Sequence, residues 1–121
     1  MERLKKRRDF LRAARNIRRV AAAVTVELSP TLEGNANTIR VGFTASRKIG
    51  NAVARNRARR RLKAAAQELL PLYGLAGNDY VLVARRETLT RSFGDLLGDL
   101  EAALGAANER LGQSRTESSR R

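Results

Sequence analysis

Residues 38–84 read TIRVGFTASRKIGNAVARNRARRRLKAAAQELLPLYGLAGNDYVLVA, and three patterns succeed one another along them. Over 38–45, Ile39, Val41 and Phe43 alternate with Arg40, Gly42 and Thr44, the period of a half-buried strand. Residues 46–51 form a basic loop containing Gly50. From 52 to about 72 the chain is rich in Ala, Arg and Leu and meets no proline before Pro71. At ~100° per residue, Ala58, Leu62, Ala65, Ala66 and Leu69 gather on one face of a helix. Asn56, Arg59, Arg60, Lys63 and Gln67 gather on another, with Arg57 and Arg61 on a flank. After a Gly-rich loop over 73–78, residues 79–84 (DYVLVA) are a short apolar run expected of a buried strand.

Upstream, 20–28 (VAAAVTVEL) places Val20, Ala22, Val24, Val26 and Leu28 in phase as a strand. It is expected to pair as a hairpin with 38–45 across the turn-rich segment 29–37, which holds Pro30, Gly34 and two Asn. Residues 9–15 read as a short helix with Phe10, Leu11 and Ala14 apolar and Asp9 as candidate N-cap. Downstream, 85–90 is expected to be a loop, with Thr90 or Ser92 capping a last helix that runs through 110. Its core candidates are Leu96, Leu97, Leu100, Ala103, Leu104 and Ala107, although Gly94, Gly98 and Gly105 weaken it. The polar segment 112–121 (GQSRTESSRR) is expected to be a disordered tail. The order α-β-β-α-β-α, with room for one further short strand, argues for an α+β fold, a single-domain α/β sandwich over 1–111.

The charge is uneven. The 121 residues carry 25 Lys+Arg against 12 Asp+Glu, a net +13. Residues 1–19 supply +7 and residues 40–63 supply +9, with no Asp or Glu anywhere between Glu33 and Glu68. So large and so local an excess points to a polyanionic partner. Arg outnumbers Lys 21 to 4, partly a mark of GC-rich coding, and its planar fork suits RNA phosphates and bases. The lack of Cys excludes disulfides and thiolate catalysis, and the lack of His removes the usual zinc sites and the commonest general base. No apolar run reaches the ~18 residues of a membrane span, and no signal-peptide core opens the chain. A soluble, intracellular protein with no membrane partner and no small-molecule substrate is expected.

The segment 47–63, RKIGNAVARNRARRRLK, holds the most information. Cations at 55, 57 and 59 stand in the first turns of a helix, where the macrodipole disfavours them and favours anions. A bound phosphate backbone would reverse that balance; a solvated basic face is the plain alternative. Residues 48–60, KIGNAVARNRARR, resemble the signature of the bacterial ribonuclease P protein family, approximately K-x-G-x-A-V-x-R-N-R-x-K-R. Leu4 with Asp9-Phe10, the strand RVGFT at 40–44 and DYVLVAR at 79–85 resemble the family's flanking elements. Arg59 stands for the usual Lys, Gln67 for a later basic residue, and Ala14 and Val26 for aromatics that often accompany Phe10.

The resemblance implies a protein that assists a catalytic RNA in removing the 5′ leader of precursor tRNA with Mg²⁺, held mainly by the RNA. It implies a cytoplasmic ribonucleoprotein whose partners are that catalytic RNA and precursor tRNA, and a left-handed βαβ crossover in the fold. Residue by residue, Arg47, Lys48, Asn51, Arg55, Asn56, Arg57, Arg59, Arg60 and Lys63 would contact the catalytic RNA. Phe10, Arg12, Arg40 and Arg60 would line a cleft for the single-stranded leader. No catalytic residue and no metal ligand are expected in the polypeptide, because Asp79, Glu87, Asp95, Asp99 and Glu101 are scattered where a two-metal site needs clustered carboxylates. Phe10 reads equally as a core residue or as a platform for a base. A general RNA-binding or ribosome-associated protein of similar fold, and an autonomous nuclease, are the competing readings.

Overall fold

The computed structural model describes residues 1–32 and 37–119, with side chains through 113. The elements are β1 (Glu2–Arg3), α1 (Arg7–Ala14), β2 (Ile17–Val20), β3 (Val24–Pro30), β4 (Arg40–Thr44), a 3₁₀ turn (Arg47–Ile49), α2 (Ala52–Tyr73), β5 (Asn78–Ala84), α3 (Glu87–Thr90) and α4 (Phe93–Ser119). The strands form one mixed sheet in the order β1-β4-β5-β3-β2. β1, β4 and β5 run parallel, while β3 is antiparallel to both β5 and β2. The α+β class and the succession of the main helices and strands are as expected, with β1 and one more strand added.

Two expectations about the sheet are corrected. The strand expected over 20–28 is two strands, because the chain turns at 21–23, where Ala21 N–H donates to the Val24 carbonyl at 2.9 Å. The expected hairpin between 20–28 and 38–45 does not form: β3 pairs with β2 and β5, and β4 lies between β1 and β5. The reason is the path of the chain. β3 already pairs with β2 on one edge, which leaves its other edge for a single partner. α2 meanwhile returns the chain so that β5 settles parallel to β4 and separates it from β3.

β-Strand alternation then sorts the side chains into two layers. Val24, Val26, Leu28, Val41, Tyr80, Leu82 and Ala84 join Ala58, Leu62, Ala65 and Leu69 of α2 and Leu96, Leu100, Leu104 and Ala107 of α4 in the main core. Each fully buried Leu there stabilises the fold by about 1.5–3 kcal/mol. On the opposite sheet face α1 packs a smaller cluster of Leu4, Ala13 and Val81, flanked by Phe10 and Val83. Tyr80 ties the layers' ends together: its hydroxyl donates to Asn108 Oδ1 at 2.6 Å and accepts from Leu75 N–H at 3.0 Å.

Of the helix boundaries, Ser92 caps α4 as expected, its Oγ accepting from Asp95 N–H at 3.1 Å. All its core candidates are buried except Leu97, which is half-buried. The expected loop at 85–90 contains α3, and α4 continues past Arg110 to Ser119, into the stretch expected as a tail. Residues 120–121 and 33–36, the middle of the expected turn, lie outside the described residues. Asp9 is not the N-cap of α1; Lys6 occupies that position without a capping side chain, and Asp9 is buried in the first turn. No helix among the described residues is long and apolar enough to cross a membrane.

Candidate nucleic-acid interface

The basic segment begins where β4 ends. Arg47 and Lys48 stand exposed on the 3₁₀ turn, and Gly50 then takes φ 144°, a conformation that L side chains rarely adopt. That turn swings the chain into Asn51, which caps α2 by accepting from Ala54 N–H at 3.0 Å. The cap uses one of the first N–H groups; the others in the first turn have no intrahelical partner and no acidic residue beside them.

Along α2 the expected outward face is present. Val53, Asn56, Arg59, Arg60 and Lys63 line one groove of about 460 Å³, with Val53 73% exposed and Arg59 donating to Asn56 Oδ1 at 2.8 Å. Arg55 and Arg57, two residues apart, diverge by ~200° around the axis and flank the face on opposite sides. Gln67 sits farther along, in a shallow hollow with Lys63, Met1 and Arg3, whose guanidinium stands 4.9 Å from the centroid of the Phe43 ring. Among the described residues no carboxylate pairs with Arg47, Lys48, Arg55, Arg57, Arg59, Arg60 or Lys63.

The second group expected to act together is only partly brought together. Phe10, Arg12 and Arg40 meet where α1 crosses the sheet. Arg60 does not join them: α2 packs on the opposite sheet face, and Arg60 points outward from it, so its expected place in the cleft is corrected. The two arginines of the cleft are also not free. Arg40 grips Asp79 with Nε and Nη2, both at 2.7 Å, and Arg12 Nη2 reaches Asp79 at 3.0 Å and Asp9 at 2.9 Å. Arg40 further pairs with Asp9 at 3.4 Å, and Thr31 donates to Asp79 Oδ1 at 2.7 Å.

Burial pushes the Asp79 carboxyl up, but the hydrogen bonds from Arg40, Thr31 and Arg12 and the Arg40 charge together outweigh it and hold it below the usual carboxylate range. The reciprocal bond to Asp79 raises Arg40. These arginines clamp α1 to the sheet and carry no spare charge for phosphate. The charged start of an otherwise apolar strand, Asp79-Tyr80-Val81, was the sequence signal of a buried partner.

Phe10 is half-buried and rests on Gly42: a Cβ at position 42 would stand 2.4 Å from Phe10 Cε1 and 2.6 Å from Cζ. Its ring is thus both packed and partly open to solvent. Beside it on the same face Thr44 and Val83 are half-exposed and Val20 exposed. Val26 lies in the main core on the other face, so an aromatic there would offer the cleft no ring; Ala14 is exposed on α1. Sequence reasoning passed over Phe93, 36% exposed at the start of α4. It stands three residues before Leu96, in step with the core positions, which hid it.

Among the described residues no three of His, Cys, Asp and Glu gather in a way that could hold a metal ion. Among the described residues the carboxylate pair that shares partners, Asp9 and Asp79, spends its oxygens on Arg12 and Arg40. These side chains do not fit a Mg²⁺ centre built by the polypeptide.

Comparison with known proteins identifies the family. The family model described as Ribonuclease P matches residues 1–108. A ribonuclease P protein component of Ruegeria pomeroyi is 53% identical over 102 residues, 84% of this chain and 82% of its own. One from Paramagnetospirillum magneticum is 49% identical, covering 86% of this chain and 80% of its own. The RNase P protein structure from Staphylococcus aureus superposes with a TM-score of 0.72 at 26% identity, over 88% of this chain and 95% of that one. With a basic turn and helix of this geometry and matches spanning most of the chain, the protein belongs to the ribonuclease P protein family.

Proposed function

We propose that the chain is the protein subunit that works with the catalytic RNA of ribonuclease P, binding that RNA and the 5′ leader of precursor tRNA. The observation that carries this reading is the contrast between two sets of cations. Arg12 and Arg40 are neutralised by Asp9 and Asp79, whereas Arg47, Lys48, Arg55, Arg57, Arg59, Arg60 and Lys63 project from one turn and one helix without a carboxylate partner among the described residues. The unpaired set is offered to phosphate, with Asn51 and Asn56 beside it for polar contacts.

If each of the seven cations meets one phosphate, log Kd should change with log salt with a slope of about 6. The helix N-terminus adds a favourable field for the same backbone. On the opposite sheet face, Phe10 and the half-exposed Thr44 and Val83 form the strip over which the single-stranded leader lies. A base stacked on Phe10 contributes about 1–3 kcal/mol. The polypeptide's part in leader removal is to bind, orient and neutralise two RNAs; Mg²⁺ is held by the RNA and supplies the metal-assisted hydrolysis of the phosphodiester.

Reconstitution tests the reading. Cleavage of precursor tRNA is measured with the catalytic RNA, the protein, and both, at low Mg²⁺. Cleavage that needs both is expected. Activity of the protein alone would favour an autonomous nuclease, and RNA activity indifferent to the protein would favour a general RNA-binding or ribosome-associated protein.

A further inference from the structure

We propose that a second nucleotide site lies between α2 and the start of α4, where an unpaired RNA base stacks on Phe93 while its phosphates meet Arg57 and Arg60. The two helices leave an open groove of about 390 Å³ lined by Arg57, Arg60, Arg61, Ala64 and Phe93, within the ~300–1,000 Å³ of ligand sites. Phe is among the residue types most often buried, yet Phe93 is 36% exposed. The small side chain of Ala64 leaves the groove open beside it. No carboxylate lines the groove, and among the described residues none pairs with Arg57 or Arg60. Arg61 is held in place by donating to the Arg91 carbonyl, and its Nε is buried without a partner.

An aromatic side chain sharing a groove with guanidinium groups is the chemistry of single-stranded nucleic acid: the ring takes a base, the cations take the backbone. A duplex keeps its base faces stacked inside, so the occupant is unpaired. An acidic peptide would use the arginines and leave the ring idle. The groove is on the opposite side of the sheet from Phe10, so it is separate from the leader strip. The proposal rests on the RNA-binding reading above.

The chain has no Trp, so Phe93→Trp places a single reporter in the groove of the full-length protein. In a Phe10→Ala background, which silences the leader strip, the probes are hexaadenylate and an abasic ribose-phosphate hexamer of equal charge at fixed salt. Quenching by hexaadenylate at concentrations where the abasic hexamer is silent is expected. In anisotropy titrations of fluorophore-labelled hexaadenylate, Phe93→Leu, which keeps apolar volume without a ring, should weaken binding about 5- to 150-fold, the worth of one lost stack, and Phe93→Tyr should restore it. Equal quenching by the abasic hexamer, the result also expected of an acidic-peptide site, would overturn the proposal. So would unchanged binding by Phe93→Leu with an unchanged circular dichroism spectrum. Wild-type protein is assayed alongside for stimulation of precursor tRNA cleavage by the catalytic RNA. Stimulation without Phe93-dependent binding removes this site alone; failure to stimulate removes the subunit reading, and the hexamer comparison still decides this one.

Discussion

Replacing Asp79 by Asn puts the clamp between α1 and the sheet to a quantitative test. Asp79 is fully buried and accepts four hydrogen bonds, from Arg40 Nε and Nη2, Arg12 Nη2 and Thr31 Oγ1, at 2.7–3.0 Å. Asn keeps one acceptor oxygen and turns the other into a donor that faces a guanidinium. Removing one partner of a buried ion pair costs about 3–5 kcal/mol. Here the Arg40 and Arg12 side chains keep 17% and 23% exposure and both still reach Asp9, so about 2–3 kcal/mol is expected.

For a domain of this size that corresponds to a fall in Tm of about 6–18 °C at pH 7. The effect must depend on pH in one direction. Because the folded Asp79 carboxyl lies below its ordinary value, its contribution is full above the ordinary carboxylate range and is lost as pH falls through the folded value. The wild-type and variant melting curves should therefore be farthest apart at pH 6–7 and converge below about pH 4. A gap that stays constant down to pH 2, or a variant as stable as wild type at pH 7, would refute the clamp.

Three further outcomes follow from the same geometry. Gly42→Ala should push the Phe10 ring edge by about 1 Å, costing about 1–2 kcal/mol in Tm measurements and weakening leader-bearing precursor tRNA but not mature tRNA; equal losses for both would remove Phe10 from the leader strip. Phe10→Ala should show the same leader-specific loss with about half the 3–5 kcal/mol of folding stability that a fully buried Phe carries. Arg55→Ala and Arg57→Ala, on opposite flanks of α2, should each lower the salt slope for the catalytic RNA by about one, additively, while Arg12→Ala lowers Tm and leaves the slope unchanged; a slope that responds to Arg12 and not to Arg57 would contradict the division between free and paired cations.

The sequence by itself determined the basic helix α2 and its polarity of charge. The 3.6-residue period of Ala58, Leu62, Ala65 and Leu69 leaves Asn56, Arg60 and Lys63 no place but solvent, and the acid-free run from 34 to 67 leaves those cations without local partners. It also determined β5 as a buried strand and narrowed the cap of the last helix to Thr90 or Ser92, because these depend on neighbours a few residues away; the Asp95 N–H bond selects Ser92. Strand order was decided only by the tertiary structure: β3 is buried on both faces, so its alternation names no partner, and the choice of β2 and β5 depends on where α2 returns the chain. The partners of individual arginines were likewise settled in three dimensions. Arg40 and Arg60 are the same residue type in the same basic segment, yet Arg40 stands beside Asp79 on the neighbouring strand, 39 positions away in the chain, and is neutralised, while Arg60 faces outward from a helix. An ion pair's partner is fixed by distance in space, and a one-dimensional count of charge carries no record of it.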